Sequence, residues 1–178
     1  FIGYRAGAST SVSFNIESVY IGNEAGGTLT GNGMTNVAIG GRSLGASSSN
    51  AASCTGNVAV GWRAMGYRLG LGATDNVCVG QTAGANLTTG SSNVYIGSDA
   101  GAVPPVFGDP VTGSNNIAIG KSARPTSTTV SNEITLGDSN ITSLRCAVTS
   151  ITSLSDERDK TEIEDLSYGL AFIDALQP

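Results

Sequence analysis

One short phrase recurs along this chain and limits what it can fold into. Asn36-Val37-Ala38-Ile39-Gly40 is followed by Asn57-Val58-Ala59-Val60-Gly61, Asn76-Val77-Cys78-Val79-Gly80, Asn93-Val94-Tyr95-Ile96-Gly97 and Asn116-Ile117-Ala118-Ile119-Gly120. Val19-Tyr20-Ile21-Gly22 is an earlier copy, and Phe1-Ile2-Gly3 reads as a truncated first one. Asn132-Glu133-Ile134-Thr135-Leu136-Gly137 is a last copy, longer by one residue. The anchoring glycines stand at 3, 22, 40, 61, 80, 97, 120 and 137, with spacings of 19, 18, 21, 19, 17, 23 and 17. A constant phrase at varying spacing is the pattern of stacked like units joined by loops of different length.

Each phrase reads as a short strand. Side chains alternate across a strand, so Val37 and Ile39 share one face and Ala38 takes the other. Tyr20 and Tyr95, in the middle position, are then expected to point outward. Asn opens the strand, and Gly22, Gly40, Gly61, Gly80, Gly97, Gly120 and Gly137 close it where the backbone turns with φ > 0. The openers Asn36, Asn57, Asn76, Asn93 and Asn116 are expected to bond amide to amide along a stack. Three residues after each glycine comes a small residue: Ala6, Ala25, Ala64, Ala83, Ala100 and Ala123, with Ser43 as the exception. Small residues there predict close backbone approach.

A coil of this length holds only a few sizeable apolar side chains, too few to offset its ordering entropy. Stacking extends the core along an axis, and association of three copies would close a core still thin. The expected fold class is therefore all-β: an elongated trimeric repeat fibre of stacked short-strand coils, β-roll or β-helix-like. The 25 glycines disfavour long helices, and they do not fall at every third position, which excludes collagen.

Two residues after each glycine runs a polar column of Arg5, Glu24, Arg42, Arg63, Thr82, Asp99 and Ser122. Mixed signs in one column predict a solvated face with occasional ion pairs. Glu24 and Asp99 are four coils apart, so they do not form the paired carboxylates of a glycosidase. Among the aromatics, Tyr4 and Trp62 follow turn glycines; with Tyr20 and Tyr95 they are expected first to pack within the trimer, and are otherwise candidate sugar contacts. The calcium-binding nonapeptide of β-rolls is absent.

Charge separates the chain into parts. Residues 1–154 carry seven acidic and seven basic side chains, whereas residues 155–178 carry seven acidic and two basic, giving the whole net charge of −5. The neutral body has no electrostatic footprint for nucleic acid. No apolar run reaches membrane-span length, so membrane insertion is not expected. The chain has no histidine, and Cys54, Cys78 and Cys146 form no paired motif. The three cysteines read as small buried thiols, with no metal site and no cofactor expected.

From Ser155 the pattern changes. Leu166, Leu170, Ile173 and Leu176 recur at helical spacing, Ser167 suits an N-cap and Pro178 an exit, so a short C-terminal α-helix is expected. The order Ser155-Asp156-Glu157-Arg158-Asp159-Lys160, then Ile163, then Gly169-Leu170-Ala171-Phe172-Ile173-Asp174-Ala175-Leu176-Gln177-Pro178, resembles the opening of the S74 peptidase family. Those domains are intramolecular chaperones at the C-termini of phage tail fibres, tailspikes and endosialidases. The resemblance implies trimeric folding of the stalk followed by self-cleavage at the Ser155-Asp156 step. It implies Ser155 as nucleophile, Lys160 as general base and Arg158 in a supporting, pairing role. A desolvated lysine with a lowered pKa is a reasonable base for a serine hydroxyl.

The expected organisation is a repetitive shaft over 1–137, a connecting neck over 138–154, and the start of the chaperone domain over 155–178. The first expectation for function is a homotrimeric phage tail fibre, located in the virion or on an extracellular surface. It would attach to a host receptor, a glycan or outer-membrane component. Turnover of a substrate is not expected beyond a single self-cleavage. The shaft phrases also resemble the head repeats of bacterial trimeric adhesins, an alternative that a C-terminal membrane anchor would favour. A glycan-degrading tailspike is a third reading, requiring acidic residues along one groove.

Overall fold

β-Branched pairs flanking one residue, bounded by Asn and Gly, form strands three residues long. The computed structural model describes residues 2–8, 17–27, 29, 35–45, 54–67, 72–102 and 111–147. Seven strands follow one another: β1 (Val19–Ile21), β2 (Val37–Ile39), β3 (Val58–Val60), β4 (Val77–Val79), β5 (Val94–Ile96), β6 (Ile117–Ile119) and β7 (Ile134–Leu136). They make one parallel sheet in sequence order. The register matches phrase to phrase, Val19 beside Val37, Ala38 beside Ala59, Cys78 beside Tyr95 and Ile119 beside Leu136. Ile2 bridges Ile21 in the same sense. Neighbouring parallel strands need a crossover, and here each crossover is the rest of one coil. The protein is thus a parallel β-solenoid over its repeat region, with no helix among the described residues. The chain divides into two units, Phe1–Thr142 and Ser143–Pro178, and the solenoid belongs to the first.

The middle residue of each strand points inward, which corrects the outward placement expected for Tyr20 and Tyr95. Tyr20, Ala38, Ala59, Cys78, Tyr95 and Ala118 are all fully buried. Val19, Ile39, Ile96 and Ile119 are exposed, and the other flanking residues of β1 to β6 are half-buried. The physical reason lies two residues before the centres of β2 to β6. The opening Asn side chain is buried, and residues i and i+2 of a strand share a face. The buried amide therefore sets the phase, and the β-branched pair takes the outer face.

Inside the coil, side-chain volume is conserved by exchange between two positions. The strand centre and the residue four after the turn glycine face the same core. Tyr20 is matched by Gly26, and a Cβ on Gly26 would lie 2.8 Å from Cε1 of the ring. Tyr95 is matched by Gly101, where a Cβ would run into the ring. Where the centre is Ala38 or Ala59, the second position is Leu44 or Met65, both buried in the same cluster.

The corners of the coil are left-handed. Among the described residues, fifteen non-glycine ones have positive φ, each a conformation of order 1–3 kcal/mol in cost. They fall in columns, and hydrogen bonds explain why they persist. Two residues after the glycine, Glu24, Arg42, Arg63, Thr82, Asp99 and Ser122 have φ near 55 (range 54 to 57). The amide of each donates to the preceding coil, as in Arg42 N to Asn23 O at 2.8 Å and Thr82 N to Trp62 O at 2.9 Å. Four residues after the glycine, Leu44 N donates to Ala64 O and Met65 N to Ala83 O, both at 2.9 Å, on the following coil. The left-handed turn swings these amides parallel to the axis, where an acceptor waits.

The turn glycines stack directly. A Cβ on Gly40 would lie 2.6 Å from the carbonyl oxygen of Gly61, and one on Gly22 would lie 2.7 Å from that of Gly40. At Gly137 the same space is filled by the side chain of Ile141, which closes the glycine column.

Candidate functional site

The buried amides form the ladder that spans the solenoid. Asn57 N donates to Asn36 Oδ1 at 2.9 Å, Asn76 N to Asn57 Oδ1 at 3.1 Å, Asn93 N to Asn76 Oδ1 at 3.0 Å and Asn116 N to Asn93 Oδ1 at 2.9 Å. The amide nitrogens reach sideways to loop carbonyls, as Asn76 Nδ2 does to Gly90 O at 2.9 Å. Ser18 accepts at the first rung, and at the last Glu133 N donates to Asn116 Oδ1. The Glu133 carboxylate accepts from Thr126 Oγ1 and N and from Thr135 Oγ1. These bonds, the Thr126 hydroxyl first, hold its carboxyl below the ordinary value. The ladder is internal, so none of its side chains is presented to a ligand.

The thiols are equally inert where they are buried. Burial pushes Cys54 up to about 11 and Cys78 higher still, so neither supplies thiolate at neutral pH. Cys146 is exposed, which corrects the expectation that all three cysteines are buried. No group of metal-binding side chains occurs among the described residues. No helix among them is long and apolar enough to cross a membrane.

Two outer surfaces remain. The first is the outer face of the sheet, lined by Val19, Val37, Val58, Val77, Val94, Ile117 and Ile134 in one row and by Ile21, Ile39, Val60, Val79, Ile96, Ile119 and Leu136 in the other. No polar side chain interrupts it. Six intervals of ~4.8 Å and strands of ~10 Å give a strip of roughly 300 Å², the size at which an apolar patch is often functional.

The second surface is the turn column. Glu24 lies between two arginines, 2.7 Å from Arg42 Nε and 4.0 Å from Arg5 Nη1. Thr82 Oγ1 donates to Asp99 Oδ1. Four coil steps of ~4.8 Å put Glu24 and Asp99 ~19 Å apart, beyond the ~5–9.5 Å of a glycosidase pair. Tyr4 and Trp62 are exposed here, while Tyr20 and Tyr95 are interior. Sequence periodicity alone missed this distinction, although the buried Asn phase carried the signal.

A shallow open groove of about 580 Å³ lies at the last coils, lined by Ser122, Arg124, Thr135, Leu136, Gly137, Asp138 and Ser139. It brings together no nucleophile and base. Ser155, Asp156, Arg158 and Lys160, and the expected helix, lie outside the described residues. Comparison with protein-family models, with curated proteins and with solved structures found no match to this chain.

Proposed function

We propose that this chain is the shaft of a homotrimeric phage tail fibre that attaches to a host surface component and is matured by a self-cleaving C-terminal chaperone segment. The observation that carries the reading is the unbroken aliphatic strip on the outer face of a rigid parallel solenoid. Polar outer positions would suit a solitary solenoid; aliphatic ones at every strand favour cover by copies of the same chain. Because strands are in register, the strip is repetitive along the axis, and like copies match it rung for rung. The resemblance of residues 155–178 to trimeric phage chaperones selects three copies, with Ser155 as nucleophile, Lys160 as base and Arg158 in support. The backbone pairing between the described parts of successive coils suits a stiff spacer with few free edges.

Sedimentation of the purified protein tests the assembly. A trimer is expected, and Ile96→Glu, which sets three charges around the axis, should dissociate it. A monomeric wild type would sink the reading. In a full-length fibre gene product, Ser155→Ala should abolish processing on denaturing gels; unchanged cleavage would remove Ser155 from the role.

A further inference from the structure

Trp62 is 47% exposed on the turn column, a costly place for the largest aromatic side chain. It is nonetheless held in position. The guanidinium carbon of Arg63 lies 4.5 Å from the centroid of the Trp62 ring and 4.5 Å from that of Tyr67. Arg63 Nη1 also donates to the Tyr67 hydroxyl, and Tyr67 is buried. The exposed indole is thus anchored through a cation–π stack to the body of the solenoid.

On the neighbouring coil the indole packs against a turn that carries no side chain. The residue equivalent to Trp62 there is Gly41, and a Cβ on Gly41 would lie 3.4 Å from Cδ1 of the indole. The next residue, Arg42, has a half-exposed side chain and binds Glu24 through Nε. No hydrogen bond from its two terminal nitrogens is made to the described residues. A fixed aromatic ring, a bare glycine turn and a guanidinium with free donors therefore lie on adjacent coils ~4.8 Å apart.

We propose that Trp62, Gly41 and Arg42 form a side-on binding site for an acidic saccharide. The apolar face of a sugar ring packs on the indole, whose polar edge stays wet. The sugar carboxylate takes the terminal nitrogens of Arg42, a charge-assisted and directional contact. Immobilising the indole beforehand spares ordering entropy on binding. Single-stranded nucleic acid also stacks on aromatic rings, but it needs a positively charged groove. Residues 1–154 balance seven acidic against seven basic side chains. This site deepens the attachment reading and rests on it.

Trp62 is the single tryptophan of the chain, so its emission reports this site alone. Titrating the intact protein with a hyaluronan hexasaccharide should change that emission saturably. Maltohexaose, neutral and of equal length, should bind at least about tenfold more weakly, the loss of one charge-assisted contact. By calorimetry, Trp62→Ala should lose hexasaccharide binding with its circular dichroism unchanged. Arg42→Ala should keep weak binding and lose the preference for the acidic sugar. Absence of any response in the intact protein, unchanged affinity in Trp62→Ala, or tighter binding of a thymidine oligonucleotide overturns the proposal. Trimer formation, read by sedimentation, and adsorption to host cells are separate measurements, so failure of this site leaves the fibre reading testable by itself.

Discussion

Removing the ring of Tyr95 tests the volume exchange inside the coil. Tyr95 is fully buried, and a Cβ on Gly84 would lie 3.3 Å from its Cδ2 while one on Gly101 would overlap it. Tyr95→Ala should therefore open a cavity lined partly by glycines that have no side chains to fill it, at a cost of about 3–5 kcal/mol. The sequence supplies its own repair. Ala59 is paired with Met65 at φ +50, and Gly101 holds the equivalent backbone at φ +66. Adding Gly101→Met to Tyr95→Ala should regain about 1.5–3 kcal/mol of burial against a left-handed penalty of ~1–2 kcal/mol. The net rescue expected is ~1 kcal/mol. Gly101→Met alone should destabilise, because its Cβ meets the ring. The assay is denaturant unfolding of all four proteins by far-UV circular dichroism at one protein concentration, since assembly shifts apparent stability. The coupling in this cycle is the diagnostic: a double variant no more stable than Tyr95→Ala would refute the exchange.

Further consequences follow from the axial columns. Gly40→Ala should cost about 2–4 kcal/mol, combining strain at φ +125 with a clash against the Gly61 carbonyl. Gly72→Ala, at φ +95 but with nothing within 4 Å, should pay strain alone; equal losses in thermal or denaturant midpoints would remove the close approach from the account. Asn76→Ala leaves Asn93 N and Nδ2 without their acceptor and Gly90 O without its donor, so a loss of at least about 3 kcal/mol is expected. An effect below ~1 kcal/mol would show the ladder to be dispensable. Glu133 has a folded pKa lowered from 4.5, so its contribution is complete above that value and is lost as pH falls through the lower folded one. The protection of the Thr126 amide, its exchange rate taken relative to that of an unprotected amide at the same pH, should fall on acidification across that window, and Glu133→Gln should remove the dependence.

The repeat phrase by itself determined the chain of short strands, their order and the glycine turns, because strand propensity, alternation and φ > 0 are local properties of a few residues. The Asn ladder was legible for the same reason: one polar side chain at one position per coil has its nearest like partner in the next coil. The polar turn column and its ion pairs were visible in the alternating signs of Arg5, Glu24 and Arg42. Which strand face points inward was not settled by those local properties. A β-branched pair and a lone Tyr or Ala both suit an interior, and only the burial of the preceding Asn picks the phase. The pairing of Tyr95 with Gly101, and of Ala59 with Met65, joins positions six residues apart that meet only after the coil has closed. The cation–π anchor beneath Trp62 likewise depends on Tyr67 folding back against Arg63. Tertiary closure decides such features, because the volume of a narrow coil is a constraint on the whole turn and on no single residue.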